Sequence, residues 1–185
     1  MQAPNATRPE TCMKIPAQLL LLATLLLSPV LHAQTADRMD VEKEGVGLNV
    51  PKDWTARETK DPILHVLEDP ANRFSVVVLR EVKADMGVED LQEYFEFKLE
   101  KIAGSWGSPQ LKASRPGQVN GNSVLWTEGT ADLIDPQGIT IPSKVLFATV
   151  EGKDFYYLVL MSERFKGSTP GRSIFPEMLK SFKAP

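Results

Sequence analysis

Val145-Leu146-Phe147-Ala148-Thr149-Val150 and Phe155-Tyr156-Tyr157-Leu158-Val159-Leu160-Met161, separated only by Glu151-Gly152-Lys153-Asp154, decide the fold. Both runs are apolar at odd and even positions alike. A strand with one wet face alternates, so runs without alternation belong to a sheet covered on both sides. Phe74-Ser75-Val76-Val77-Val78-Leu79 has the same character. The short polar break around Gly152 turns one run back beside the next.

Moving outward, Val46, Leu48 and Val50 alternate with Gly47 and Asn49 until Pro51-Lys52-Asp53 ends the strand. Trp54 follows at once, and two readings are open to it: a stacking platform for a ligand or a core anchor closing the turn, of which the anchor is favoured. Ile63 to Leu67 forms another short strand, and Asp69-Pro70-Ala71-Asn72 turns it into the run at Phe74. Asn120-Gly121 is a two-residue hairpin signal leading into Val124-Leu125-Trp126-Thr127-Glu128. The stretch from Trp106 to Arg115 is rich in Gly, Ser and Pro and reads as loop with room for one short strand.

Two helices supply cover. Val88, Leu91, Phe95, Leu99, Ile102 and Trp106 recur every three or four residues, with Asp85 as N-cap and Gly104 and Gly107 at the far end. A second helix is predicted over Ser173 to Phe182, with Pro176 in its first turn. Strands and helices in this order contain no regular βαβ alternation. The predicted class is therefore α+β: a single three-layer sandwich with a central antiparallel sheet flanked by helices, spanning residues 46–183.

Ahead of this domain, Lys14 precedes a leucine-rich core from Leu19 to Leu27, then Ser28-Pro29 and a small residue at Ala33. That order reads as a secretory signal peptide over residues 1–33, with Met13 as the true start and cleavage near Ala33. The core is shorter than the roughly 20 apolar residues a spanning helix needs, so no stable membrane insertion is expected after cleavage. A retained anchor is the competing reading. Residues 34–45 are polar and read as a flexible tether. The expected location is periplasmic or secreted.

Cys12 is the only cysteine and lies before the apolar core. The exported remainder would then hold no thiol, which excludes disulfides and cysteine-based zinc or redox sites. The whole chain has a net charge of −3, and loss of Arg8, Glu10 and Lys14 with the leader makes the remainder slightly more acidic. Its charges alternate in sign, as in Lys98-Leu99-Glu100-Lys101. Phosphate binding needs clustered cations, so nucleic acid is not an expected partner.

Val50-Pro51-Lys52-Asp53-Trp54 resembles the opening of the PsbP-like proteins, and Glu177 to Phe182, ending in Ser181-Phe182, resembles their closing helix. A long amphipathic helix after the third strand, the Val119-Asn120-Gly121 turn, and a hairpin with Tyr156 and Tyr157 in its second strand occur in the same order. The likeness runs from Val46 to Lys183. It implies the fold of a group whose members include an extrinsic photosystem II subunit, a release factor for the Ran GTPase and DcrB-type bacterial envelope proteins. Those are mostly binding proteins and scaffolds, and the resemblance carries over no catalytic residue. The chain departs from the lipid-anchored members in having no cysteine after the leader.

Chemistry offers few candidates. After removal of the leader His65 is the sole histidine, set inside Ile63-Leu64-His65-Val66-Leu67, and no Gly-x-Ser-x-Gly elbow accompanies it. No phosphate loop of the Gly-x-x-x-x-Gly-Lys kind occurs, and Gly167-Ser168-Thr169-Pro170-Gly171-Arg172 lacks the lysine. Glu128, Asp132 and Asp135 precede Pro136-Gln137-Gly138 and form an acidic group. Two roles suit it: calcium binding or an acid and base pair in a small carboxylate-dependent hydrolase. Solvated turn residues are the plainer reading.

The function expected is that of an exported, non-enzymatic binding or scaffold module engaging an envelope protein or peptide, with no cofactor. Trp126, Tyr156 and Tyr157 are its candidate contact residues, on their aromatic character in hairpin strands; core packing is the equal alternative for each. A small-ligand carrier with Trp and Tyr lining a cavity is a further reading.

Overall fold

A computed structural model describes residues 38–135, 137–164 and 174–185. The predicted leader and the Gly167 to Arg172 stretch lie outside the described residues, as does Pro136. The strands are β1 (Arg38–Lys43), β2 (Val46–Pro51), β3 (Thr55–Ala56), β4 (Ile63–Glu68), β5 (Phe74–Val82), β6 (Gly107–Leu111), β7 (Arg115–Val119), β8 (Asn122–Ile134), β9 (Thr140–Glu151) and β10 (Phe155–Arg164). The helices are α1 (Lys83–Met86), α2 (Leu91–Ala103) and α3 (Phe175–Lys180). None is long and apolar enough to cross a membrane.

Eight strands make one sheet in the order β3-β4-β5-β10-β9-β8-β6, with β7 also paired to β8. Every pairing is antiparallel. The two runs that are apolar on both parities, β9 and β10, lie at the centre beside β5, where both faces must be dry. Their alternate side chains feed two separate clusters. Leu146, Ala148, Val150, Tyr157, Val159 and Met161 point to one, while Phe147, Tyr156 and Leu158 point to the other.

Helix α2 covers the second cluster through Leu91, Tyr94 and Phe95. It starts later than the periodicity predicted: the N-cap is Asp90, whose side chain accepts from the Glu93 amide, and Asp85 lies in the separate turn α1. Gly87, in the left-handed region at φ 65°, ends α1 and breaks the pattern. The opposite cluster is covered differently from the expectation of a helix. Val46, Leu48 and Val50 of β2 share the work with Phe175, Met178, Leu179 and Phe182 of the short helix α3 and its tail.

Residues 38–43 correct the predicted tether. They form β1, in register with β2 from Arg38 opposite Pro51 to Lys43 opposite Val46. Glu44 and Gly45 close the hairpin with φ of 56° and 77°, the two positive values such a turn needs. Only Met39 and Val41 are apolar and packed on the core, too few to register as a strand pattern. The C-terminal tail joins the same layer, since Gly47 and Lys183 exchange backbone hydrogen bonds at 3.0 and 2.9 Å.

Trp54 is the predicted anchor, buried and stacked on Phe74 at 6.1 Å between ring centres. Asn120 and Gly121, at φ 48° and 87°, make the predicted hairpin between β7 and β8. The Asn120 side chain also donates to the Phe182 carbonyl at 2.6 Å, tying that turn to the tail behind α3.

Candidate functional site

The acidic group does not converge. Glu128 and Asp132 stand four residues apart on β8, about 13 Å at the rise of an extended strand. Carboxylate pairs in glycoside hydrolases sit roughly 5–9.5 Å apart. Glu128 accepts from Lys112 at 2.6 Å. Asp132 lies across the ladder from Gly107. Asp135 caps its own turn, accepting from the amides of Gln137 at 2.9 Å and Ile139 at 2.8 Å. Among the described residues, no three His, Cys, Asp or Glu side chains gather where a metal ion would fit.

His65 is buried on the β2 side of the sheet, its Nε2 donating to the Val46 carbonyl at 2.9 Å. A serine pair, Ser75 and Ser162, lies within 2.8 Å on the other face, in a hollow of about 200 Å³ lined also by Leu133, Ser143 and Arg164. Strand alternation puts imidazole and hydroxyls on opposite sides of the sheet. Among the described residues these elements assemble no serine and histidine pair.

Tyr156 and Tyr157 are corrected as contact residues. Both are buried, at 3% and 2% exposure. Tyr156 stacks on Tyr94 at 4.3 Å, and Tyr157 meets Phe182 edge-on at 5.7 Å. Burial raises both phenols above their ordinary pKa. They sit in the central strand β10, which is covered from both sides, so aromatic character served packing there.

Trp126 differs because β8 leaves the covered centre at its level. It is half-buried and lines an apolar hollow of about 160 Å³ with Gly117, Val119, Val124, Pro176 and Leu179. The cause is a missing side chain. Arg115 lies opposite Trp126 and Gly117 opposite Val124, all on one sheet face. Where the first pair presents two large side chains, the second presents only valine, and α3 roofs the gap with Pro176 and Leu179.

The rim carries a guanidinium and an exposed ion pair. The Arg115 guanidinium lies 5.1 Å from the centre of the Trp126 ring. No carboxylate pairs with it among the described residues. Lys180 also borders the hollow, bonded to Glu177 at 3.0 Å in a largely exposed pair. Glu128, next on the same face of β8, is neutralised by Lys112.

The sheet edge beside this hollow is guarded. Pro109 in β6 and Pro116 in β7 each lack an amide donor, and Ser108 takes a positive φ of 46° within a register shift. Such features hinder addition of a foreign strand. At the far edge β3 has only two residues. Sequence reading found Trp126 but missed Gly117 and Arg115; the Asn120-Gly121 turn, which fixes the register, was the signal that placed them opposite Val124 and Trp126.

No family model matches the chain, and no curated protein matches it by sequence. Solved structures do match. The Saccharomyces cerevisiae Ran-binding protein Mog1p superposes with a TM-score of 0.54 at 14% identity, over 71% of this chain and 79% of that one. Cyanobacterial PsbP (CyanoP) from Synechocystis sp. PCC 6803 gives 0.53 at 12% identity, over 80% of this chain and 92% of that one. The chain has the PsbP-like fold.

Proposed function

We propose that this PsbP-like chain is an exported, non-enzymatic binding module that holds an envelope protein or peptide by an anchor side chain in the Trp126 hollow. The observation that carries the reading is the hollow itself: apolar, accessible and lined by a tryptophan beside an arginine, two of the residue types that dominate binding hot spots. Its size supports an anchor. An apolar cavity of about 150 Å³ holds one benzene ring, whereas small-molecule sites run from about 300 Å³ upward. A side chain fits better than a whole carried ligand. Protein binding is also what the name of the similarly folded Mog1p states.

Export rests on the leader from Lys14 to Ala33. Intact mass of the protein recovered from the producing cell tests it: a species beginning at Gln34 is expected, and one retaining the leader overturns it. For binding, crosslinked partners are identified by mass spectrometry with the native protein and with Trp126→Ala. A single partner lost from the Trp126→Ala sample is expected; identical captures would remove the hollow from consideration.

A further inference from the structure

Resting on that reading, we infer that the partner presents a bulky apolar side chain flanked by carboxylates: an acidic peptide segment. Two observations set the chemistry. Gly117 opens a notch of one-side-chain size over Val124, between Trp126 and Leu179. The unpaired charge at its mouth is cationic: Arg115 has no carboxylate partner among the described residues, and Lys180 is bonded to Glu177 in an exposed pair on its own helix. Exposed pairs of that kind are worth little and exchange readily.

An incoming carboxylate would meet a guanidinium already laid against Trp126, so little side-chain freedom remains to be lost. Of the two carboxylates on the same face of β8, Glu128 is bonded to Lys112 and Asp132 stands six residues beyond Trp126, so both offer little repulsion. A basic peptide would face Arg115 with no carboxylate beside it among the described residues, while Glu177, the anion on the Lys180 side, is already bonded to Lys180. Because the edge carries Pro116 in β7, recognition falls to the anchor and its flanking charge rather than to an added strand.

The test is a selection from a randomised heptapeptide display library on the immobilised full chain, followed by affinities for the enriched peptides. Gly117→Leu plugs the notch: a Cβ there meets only the Val124 Cγ1, at 3.4 Å. Arg115→Glu inverts the rim at an exposed site. Peptides pairing Phe or Leu with Asp or Glu are expected, weakened about tenfold or more by each variant, as loss of one anchor or one charge contact implies. Enrichment of neutral or basic peptides that still fail on Gly117→Leu overturns the acidic partner and leaves the binding reading standing. Peptides insensitive to Gly117→Leu, or none at all, overturn both. Self-association of the native protein that Gly117→Leu abolishes would make a second copy the occupant and overturn the acidic peptide.

Discussion

The two faces of the sheet are closed by different means. Under α2 the cover is aromatic and polar together: Phe95 meets Phe147 edge-on at 5.2 Å, Tyr94 stacks on Tyr156, and the Tyr94 hydroxyl donates to Glu81 at 2.6 Å. Lys98, buried along its stem, donates to the other Glu81 oxygen at 2.5 Å. On the opposite face the cover is a hairpin, a six-residue helix and a tail. A thirteen-residue helix with a capped start locks onto its ground; a patchwork leaves a gap where its last piece stops. An accessible hollow lined by Trp126 lies at that gap, between α3 and β7.

The largest effect should come from removing one aromatic from each cover. Phe147→Ala and Phe182→Ala, both fully buried, are each expected to cost about 3–5 kcal/mol in denaturant unfolding. Loss of the tail layer by Phe182→Ala should also expose amides of β2 to hydrogen exchange. If Phe182→Ala costs under about 1 kcal/mol, the patchwork contributes little and the comparison fails.

Next comes the polar lock. Tyr94→Phe keeps the ring stack and removes one hydrogen bond to a charged group, an expected loss of about 1.5–3 kcal/mol. Burial, then the bond to Glu81 and its charge, hold the Tyr94 phenol well above the usual range for tyrosine. The folded form therefore keeps a proton that the unfolded chain sheds, so this stability is full below pH about 10 and falls as pH rises beyond it. Unfolding curves from pH 8 to 11 should lose stability less steeply for Tyr94→Phe than for the native chain. Equal slopes would clear Tyr94 of that role.

A smaller change sharpens the start of α2. Asp90→Ala removes the cap on the Glu93 amide, at 2.9 Å, and should lower stability by about 1 kcal/mol. Smallest of all is Gly117→Leu, expected within about 0.5 kcal/mol of the native chain because it fills accessible space. A large destabilisation there would mean that the notch is needed by the fold and not left for a partner.

Much of this was legible in local pattern. Runs apolar on both parities marked β5, β9 and β10 as the doubly covered centre, and the three-to-four spacing around Phe95 marked α2. Trp54 after Pro51-Lys52-Asp53 was readable as an anchor, and Asn120-Gly121 as a turn. Residues 38–43 escaped because two apolar side chains do not make a visible alternation; pairing with β2 supplies what their own sequence lacks. Asp85 was a plausible cap until Gly87 split the segment in two. The acidic group was close in sequence yet spread along β8 and the turn after it, since extension separates residues that a count of positions makes near.

The amino-acid sequence alone determined the sheet, its antiparallel build and its double cover, because apolar patterning is a property of neighbouring residues and needs no distant partner. Only the tertiary structure decided which aromatic remains available. Trp126, Tyr156 and Tyr157 stand alike in hairpin strands, but the tyrosines lie where α2 and the tail close over β10, while Trp126 lies opposite Arg115 and beside the missing side chain of Gly117. Accessibility is set by what other segments place on a strand, and that is not written in the strand itself.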